Sequence, residues 1–243
     1  MPEGPSIVIL KELAAPFAGK KVLEVSGDAP IDLERLAGQK IIAFKTWGKH
    51  LLICFKQFTV RIHLMLFGSY SINEQTKPRV RLGLTFAKGE LFFYACLVKI
   101  IDEPLSEVYD WSADVMNQAW DRRKARAKLK QEGDRMICDV LLDQNIFAGS
   151  GNIIKNEVLF RSRIQPESLV SAIPPKKITA LLTEVVKYSF EFLHWKKENT
   201  LKKHWQAHTK KICPRCDIPF VKKYTGKNKR RSFFCTNCQE LYE

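Results

Sequence analysis

The sequence lacks the segments that would place a protein in a membrane or direct it out of the cell. It contains no run of 18 apolar residues among its 243, which is about the length needed for a membrane-spanning helix. The N-terminus also lacks the apolar h-region of a secretory signal peptide. Both absences predict a protein that stays inside the cell, in the cytoplasm or nucleoid of a bacterial-type cell, without contact to a membrane.

Acidic residues are scarce relative to basic ones. There are 26 Asp and Glu against 40 Lys and Arg, and the formal net charge is +14. The excess is concentrated, since residues 196–231 hold 13 Lys and Arg but only Glu198 and Asp217 as acidic residues. Scattered surface lysines would not cluster in this way. The distribution therefore predicts a polyanionic partner such as nucleic acid.

The first half of the chain has the pattern of an all-β domain. A short helix is expected at 5–18, followed by strands in six apolar runs separated by Gly, Pro or Asp: 22–25, 40–44, 50–55, 59–66, 80–86 and 91–101. Short strands at such close spacing indicate an antiparallel sandwich or barrel. Residues 1–113 are therefore predicted to form a β-sandwich domain.

The second half has the periodicity of helices. Residues 114–131 are interpreted as a hinge or linker that leads into a helix. Apolar residues from Met136 to Phe147 then fit one helix, which ends at Gly149-Ser150-Gly151, and a second helix follows. Pro174-Pro175 begins a third. Residues 132–205 thus form a predicted helical domain with a helix–turn–helix element, and 206–243 form a small separate domain.

Four of the seven cysteines form a metal-binding pattern. Two CxxC pairs, separated by eighteen residues, contain Cys213, Cys216, Cys235 and Cys238. Four thiolates at this spacing predict one closed, structural zinc site, whereas the other three cysteines lie in apolar stretches that suit packing. Between the pairs, residues 222–231 predict a two-stranded hairpin with a basic tip. A solvated charge run is the alternative, but a metal-stabilised hairpin this basic favours contact with phosphates.

The N-terminal residues could carry covalent chemistry. The small residue after Met1 predicts that Met1 is removed, which would leave Pro2 with a free secondary amine whose pKa is about 8. Such an amine can attack an electrophilic carbon and form an iminium ion. Glu3 beside it could act as a general acid or base. An ordinary N-terminus ahead of a helix is the alternative.

Three weaker motifs are compatible with nucleic-acid binding. Gly149–Asn152 opens a helix and could bind an anion, although Asn152 could equally be a simple helix cap. Lys49, after Gly48, would usually be a surface lysine. The apolar cluster Met65–Phe67 closes a strand, where it is either core or a wedge that enters a base stack.

Together these motifs resemble one family of enzymes. Pro2–Pro5, Gly48-Lys49, Gly149–Asn152 and the four-cysteine finger occur in the same order in the formamidopyrimidine-DNA glycosylase / endonuclease VIII family of base-excision repair. The resemblance implies a two-domain α+β fold. In that fold an N-terminal antiparallel β-sandwich with flanking helices precedes a helix–two-turns–helix domain with a zinc finger. It also implies a monomer that binds damaged double-stranded DNA in the cleft between the domains.

The resemblance assigns roles to five residues in the chemistry. Pro2 would be the nucleophile that attacks C1′ of the damaged nucleotide, and Glu3 would protonate or polarise the sugar ring oxygen. Lys49, Asn152 and Arg230 would hold phosphates around the extruded nucleotide. Excision of the base followed by β- and δ-elimination would then cut the strand on both sides of the lesion.

Further residues match family positions outside the reacting centre. Met65, Leu66 and Phe67 correspond to residues that fill the gap left by the extruded base. Arg231 would add a DNA contact, and Glu157 matches a glutamate interpreted as structural.

The resemblance is closer to the endonuclease VIII branch. Three consecutive bulky residues follow Leu64, and only about a dozen residues separate Leu201 from Cys213, too few for the long loop that covers oxidised purines. Both features favour oxidised pyrimidines: thymine glycol, dihydrouracil and hydroxylated cytosine or uracil. Ser6 stands where the family usually has Glu, which leaves the substrate range open. The alternatives are the same chemistry on 8-oxoguanine and formamidopyrimidines, or a non-catalytic zinc-finger protein that binds damaged DNA.

Overall fold

The chain folds into two compact units in a computed structural model that describes residues 2–243. The first unit ends at Tyr109, and the second is Asp110–Glu243. The helices are α1 (Gly4–Ala14), α2 (Leu105–Val108), α3 (Arg122–Gln131), α4 (Ile137–Val140), α5 (Asn152–Ser162) and α6 (Pro175–Lys197). The strands are β1 (Glu24–Ser26), β2 (Ala43–Trp47), β3 (His50–Cys54), β4 (Thr59–His63), β5 (Ser69–Ile72), β6 (Leu82–Thr85), β7 (Glu90–Tyr94), β8 (Leu97–Ile101), β9 (Val221–Thr225) and β10 (Arg230–Phe234).

The first unit is a sandwich of two antiparallel sheets. One sheet has the order β1-β6-β7-β5 and the other the order β2-β3-β4-β8. Alternate residues of both sheets point into one shared apolar core, which includes Ile53, Ile62, Leu84 and Phe93. Helix α1 packs against β2 and β3 and buries Leu10 completely. The two-domain α+β fold with an antiparallel N-terminal sandwich is therefore confirmed.

Two strand predictions in this unit were wrong. The apolar run 91–101 is not one strand but two, β7 and β8, which belong to different sheets. Ala95 between them has a positive φ of 47°, a left-handed conformation that turns the chain. Strand β5 was missed because Ser69 and Ser71 break its apolar pattern, and its pairing with β7 defines it instead.

The second unit has a helical core followed by the cysteine-containing finger. Helices α5 and α6 pack together, and their apolar faces meet in a core with Val158, Leu181 and Tyr188. The charged segment before them is helix α3, which begins after Asp121. That carboxylate accepts hydrogen bonds from the backbone N–H groups of Arg123 and Lys124 in the first turn. None of the helices within residues 2–243 is long and apolar enough to cross a membrane.

The helix predicted from Met136 to Phe147 was wrong in its length. Only α4 is helical, and the chain then continues in turns. Asp143 explains the difference, because its side chain accepts a hydrogen bond from the backbone N–H of Asn145 at 3.0 Å. This local turn competes with helix continuation. Phe147 is nevertheless completely buried, as the apolar pattern indicated.

The finger contains the predicted hairpin. Strands β9 and β10 pair antiparallel from Val221↔Phe234 to Thr225↔Arg230. The turn begins at Gly226, whose φ of +69° lies in the left-handed region. The basic segment is thus an ordered hairpin, and most of its basic side chains are exposed.

Candidate active site and nucleic-acid interface

The predicted nucleophile and acid lie at the beginning of helix α1. Glu3 has extended backbone angles, and its carbonyl oxygen accepts hydrogen bonds from the backbone N–H groups of Ser6 at 2.8 Å and Ile7 at 3.3 Å. The Glu3 side chain is fully buried, with 0% exposure, whereas Pro2 is half-buried. Pro5 suits the first turn of the helix, where no N–H is required. A carboxyl group is therefore held out of bulk water directly beside Pro2.

Lys49 is presented by a tight hairpin between β2 and β3. Trp47 pairs with His50, so Gly48 and Lys49 form a two-residue turn. Gly48 has a φ of 54°, and Gly at this position with positive φ is typical of such hairpins. The short turn fixes where the half-buried Lys49 leaves the sheet.

A cluster of rings lies beneath this turn. The rings of Trp47 and Tyr109 are 4.8 Å apart, and those of His50 and His63 are 5.2 Å apart at a right angle. The Tyr109 hydroxyl lies 3.2 Å from His50 Nδ1. The sequence did not indicate this cluster, because its members come from three strands and from the end of the unit. It packs the base of the Lys49 hairpin.

Burial keeps the histidines of this cluster neutral. Loss of solvent lowers the pKa of His50 to about 3, helped by the positive charges of Arg61, His63 and Lys49. Loss of solvent, with the charges of Lys49 and Arg61, also lowers the pKa of His63. At neutral pH neither imidazole adds charge, so the positive charge near the turn comes from Lys49 and Arg61.

The apolar cluster after β4 is exposed and does not belong to the core. Met65 and Leu66 are 44% and 45% exposed, and Phe67 is 85% exposed. Gly68 closes the loop tightly, since a Cβ there would lie 2.1 Å from the carbonyl oxygen of Leu64. The core alternative for these residues therefore does not hold. Three large apolar side chains are available to a partner at one turn.

In the second unit, Asn152 is the first residue of α5 rather than its cap. Gly151 is the cap residue, so the simple-cap alternative for Asn152 does not hold. The side-chain amide of Asn152 donates a hydrogen bond from Nδ2 to the carbonyl oxygen of Arg231 at 3.1 Å. An amide nitrogen carries two hydrogens, so one donor remains for a further acceptor. The structure thus joins the predicted anion-binding turn to the finger.

The tip of the finger is held by a carboxylate from the helical part of the unit. Asp139 is buried and accepts hydrogen bonds from Lys227 N at 2.7 Å, Asn228 N at 3.1 Å and Asn228 Nδ2 at 3.0 Å. Gly226 is required here, because a Cβ would lie 2.4 Å from an Asp139 carboxylate oxygen. The turn that precedes Arg230 is therefore fixed.

The two predicted arginines lie at the start of β10. Arg230 is half-buried and pairs with Thr225. Arg231 is exposed, and its Nη2 donates to the Tyr224 hydroxyl at 2.6 Å while its guanidinium lies 5.0 Å from the centre of that ring. This contact restrains the Arg231 side chain on the outer face of the hairpin.

The four predicted metal ligands come together. Their Sγ atoms, from Cys213, Cys216, Cys235 and Cys238, all lie within 4.8 Å of one another. Cys213 Sγ and Cys238 Sγ are 3.7 Å apart, close to the separation of about 3.8 Å that a tetrahedral ion with metal–sulfur bonds of about 2.3 Å requires. The donor set and spacing fit a metal ion held by four thiolates.

The segment before the cysteines is fixed by Glu157. This fully buried carboxylate accepts backbone hydrogen bonds from Gln206, Ala207 and His208 at 2.7–3.1 Å. Burial raises its pKa, and the three backbone donors oppose that effect. Glu157 thus connects α5 to the chain that leads into the finger.

The structure gathers the predicted residues into two groups. Pro2, Glu3, Lys49 and Met65–Phe67 belong to the first unit, whereas Asn152, both arginines and the cysteine cluster belong to the second. Sequence reasoning missed Lys155 and Asn156, which lie three and four residues after Asn152 and so share its helix face. It also missed Asp139, because nothing in the sequence connects that residue to a turn 88 positions away.

Two family models match the chain. Residues 1–97 match the formamidopyrimidine-DNA glycosylase N-terminal domain, and residues 112–201 match the formamidopyrimidine-DNA glycosylase H2TH domain. Together they cover most of the chain.

Individual proteins show the same similarity. Endonuclease 8-like 3 of Xenopus laevis is 27% identical over 252 residues, which cover 98% of this chain and 41% of that protein. The chain spans only 34–41% of the length of the endonuclease 8-like 3 proteins it matches. Formamidopyrimidine-DNA glycosylase of Acinetobacter baylyi is 28% identical and is matched over 99% of both chains.

A solved structure has the same fold. The formamidopyrimidine-DNA glycosylase of Lactococcus lactis, in a crystal structure with DNA that contains an abasic site, superimposes with a TM-score of 0.87. The superposition covers 98% of this chain and 99% of that one, at 23% sequence identity.

Proposed function

Because the chain belongs to the formamidopyrimidine-DNA glycosylase / endonuclease VIII family of DNA repair glycosylases, we propose that it is a bifunctional DNA glycosylase and abasic-site lyase that removes oxidised pyrimidines. The observation that carries the proposal is the complete burial of Glu3 beside Pro2 at the start of α1. A carboxyl group that is shielded from water in this way is suited to donate a proton to a bound substrate or to accept one from it. The proposal includes removal of Met1, which frees the amine.

In the first step, the nitrogen of Pro2 would displace the damaged base from C1′ of the sugar. Its neutral nitrogen attacks C1′, and the bond from C1′ to the base breaks with both electrons leaving on the base. After the attack the nitrogen loses its proton, and the departing base takes up a proton. Opening of the bond between C1′ and the ring oxygen then gives an iminium ion, with the ring oxygen protonated by way of Glu3.

The iminium ion would then cut the strand. It withdraws electrons from C1′ and so acidifies the neighbouring C2′ protons. Loss of one of these protons expels the 3′ phosphate, and a second elimination expels the 5′ phosphate. Hydrolysis of the remaining iminium releases Pro2.

The basic residues would hold the damaged double-stranded DNA. Lys49, Asn152 and Arg230 are proposed to contact phosphates near the lesion, with Arg231 as a further contact. The exposed side chains of Met65–Phe67 suit insertion into the gap left by an extruded nucleotide. We assign catalysis to the first unit and propose that one copy of the chain acts on each lesion, since it supplies all of these residues.

The metal at the cysteine cluster is proposed to be one structural Zn²⁺. Four thiolates leave no open coordination position, so the ion would stabilise the finger and take no part in the chemistry. Metal analysis of the purified protein should give about one zinc per chain. Substitution of two cysteines by Ser should remove it and unfold the finger.

The preference for oxidised pyrimidines rests on two features. The bulky residues after Leu64 are consecutive and exposed, and the chain from Leu201 to Cys213 is short. Ser6, at the position where the family usually has Glu, is nearly buried at 9% exposure. It offers a hydroxyl in place of a carboxylate near the site.

The test is covalent trapping on defined DNA. Borohydride should trap the protein on a duplex with an abasic site and on duplexes with thymine glycol or dihydrouracil, but only weakly on 8-oxoguanine. The matched control is the same chain with a short extension before Pro2, which should bind the abasic duplex but give no adduct. Binding without any adduct in the unextended protein would instead show a non-catalytic damage-binding protein. Stronger trapping on 8-oxoguanine would show the purine-directed alternative.

A further inference from the structure

Lys155 on helix α5 is a lysine without solvent exposure. Its side chain is 0% exposed, and its Nζ donates to Ser232 Oγ at 2.8 Å and to the carbonyl oxygen of Arg231 at 3.3 Å. Ser232 is itself fully buried and lies 2.6 Å, oxygen to oxygen, from the Thr225 hydroxyl of the neighbouring strand. An ammonium group is costly to bury unless it is hydrogen-bonded. Lys155 therefore opposes any movement of β10 away from α5.

Two more side chains of α5 reach the same strand. Asn152 Nδ2 and Asn156 Nδ2 donate to the Arg231 carbonyl oxygen at 3.1 Å and 3.3 Å. Asn156 Oδ1 accepts a hydrogen bond from Phe233 N at 3.0 Å. Three donors from one helix face thus converge on one carbonyl group, and Lys155 brings the only formal charge among them.

Arg230 lies between two fixed points. The Asp139 carboxylate holds the backbone of Lys227 and Asn228 on one side, and the Arg231 carbonyl is held by α5 on the other. That carbonyl belongs to the residue directly after Arg230, so the bonds from α5 restrict where the backbone of Arg230, and with it the start of its side chain, can lie. Because Asn152 shares the acceptor, the two proposed phosphate ligands are fixed relative to each other.

We propose that Lys155 is a positioning residue, which locks β10 onto α5 and thereby sets Arg230 and Asn152 for phosphate binding. Its burial rules out a direct contact with DNA. The DNA-binding consequence rests on the proposed function, whereas the anchoring of β10 does not.

The test uses Lys155→Met, with Lys202→Met as the control for loss of an exposed lysine. In DNA-free protein, hydrogen exchange of the 230–234 amides should accelerate about tenfold or more in Lys155→Met and stay unchanged in the control, while amides of the β-sandwich are unaffected. Unchanged exchange in β10 would overturn the proposal. If Lys155→Met does not fold, Ser232→Ala removes the nearest acceptor and should give the same direction of change.

A double-mutant comparison separates positioning from general destabilisation. Lys155→Met should weaken binding to an abasic-analogue duplex about tenfold when Arg230 and Asn152 are present, but less than about twofold in a background that carries both Arg230→Ala and Asn152→Ala. Equal losses in both backgrounds would show a merely structural role. If the parent protein does not bind such DNA, the proposed function fails, and the exchange experiment still decides whether Lys155 anchors β10.

Discussion

At the scale of single residues, the proposed chemistry depends on Glu3 more than on any other side chain outside the nucleophile. Complete burial favours a carboxyl group that exchanges protons with a bound sugar rather than with water. Base excision needs a proton on the sugar ring oxygen, whereas an abasic site can react in its open aldehyde form. Glu3 should therefore matter most when a base is still attached.

Glu3→Gln tests this distinction, because glutamine has nearly the same shape but does not donate a proton. Excision of an oxidised pyrimidine should slow by about 10²-fold or more, while trapping on a preformed abasic site should fall much less. Single-turnover kinetics on the two duplexes measure the difference. Glu12→Gln, at an exposed position of the same helix, is the control. Equal losses on both substrates would contradict the proposed role.

Some single-residue roles can be proposed from the sequence, whereas others need the structure. Pro2 and Glu3 are proposed because an N-terminal amine can form an iminium ion and because the surrounding motifs resemble one family. Lys155 was not, because a lysine in a helical pattern ordinarily points to solvent. Strand β10, 77 residues further along the chain, brings the acceptors to its ammonium group.

At the scale of elements, the finger hairpin is placed by side chains that belong to other elements. Its tip is held by Asp139 of α4, and its second strand is held by α5. The hairpin alone could not fix Arg230, since a two-stranded ribbon is only marginally stable by itself. Anchors at both ends allow the proposed phosphate contact.

Asp139→Asn tests the anchor at the tip. The amide exposes N–H groups to the backbone donors of Lys227 and Asn228, so one or two hydrogen bonds are lost and the unfolding free energy should fall by about 1–3 kcal/mol. Affinity for an abasic-analogue duplex should fall as well, because the turn before Arg230 is released. Chemical denaturation and DNA titration measure the two effects. Asp134→Asn, at an exposed neighbouring position, is the control and should change neither quantity. The same result for both variants would show that Asp139 does not anchor the finger turn.

The boundaries of elements were predicted less well than their existence. Apolar periodicity located α5, α6 and the finger hairpin, but it extended α4 through Asp143 and merged β7 with β8. In both places one residue changes the course of the chain: Asp143 through a side-chain hydrogen bond, and Ala95 through a left-handed backbone. Tyr94 and Phe147 beside these breaks are nevertheless buried, so the apolar period alone did not report the break.

At the scale of the whole molecule, a net charge of +14 coexists with half-buried histidines that are neutral at pH 7. Unfolded histidine has a pKa near 6.5, whereas His50 has a pKa of about 3 in the folded protein. The unfolded chain therefore takes up a proton before the native one does. The contribution of His50 to stability is complete above about pH 6.5 and is lost as the pH falls toward 3.

Acid should consequently destabilise the first unit well before carboxylates titrate. Between pH 6.5 and 5.0, the unfolding free energy should fall by on the order of 2 kcal/mol because of His50 alone. Urea denaturation across this range measures the fall, and His50→Gln should remove it. His194→Gln, at an exposed position in the second unit, is the control. If the parent and His50→Gln lost the same stability between pH 6.5 and 5.0, the lowered pKa of His50 in the folded protein would be contradicted.

The two-domain architecture could be predicted largely because its parts differ in period and composition. Alternating runs, helical runs and the cysteine finger follow one another along the chain, and their order matches one family. The sequence did not predict the packing contacts inside each unit. These are the ring cluster under Lys49 in the first unit and the three side chains that hold β10 in the second. These contacts join residues that are far apart in the chain, and each becomes visible only when the elements are packed.

The position of the covalent bond to DNA tests directly whether Pro2 is the nucleophile. The borohydride-trapped complex with abasic-site DNA would be digested with nuclease and a lysine-specific protease, and the modified peptide sequenced by mass spectrometry. We expect the sugar remnant to be attached to the nitrogen of Pro2, in a peptide that begins at Pro2 and ends at Lys11. Attachment to a lysine such as Lys49, or a peptide that still begins with Met1, would contradict it.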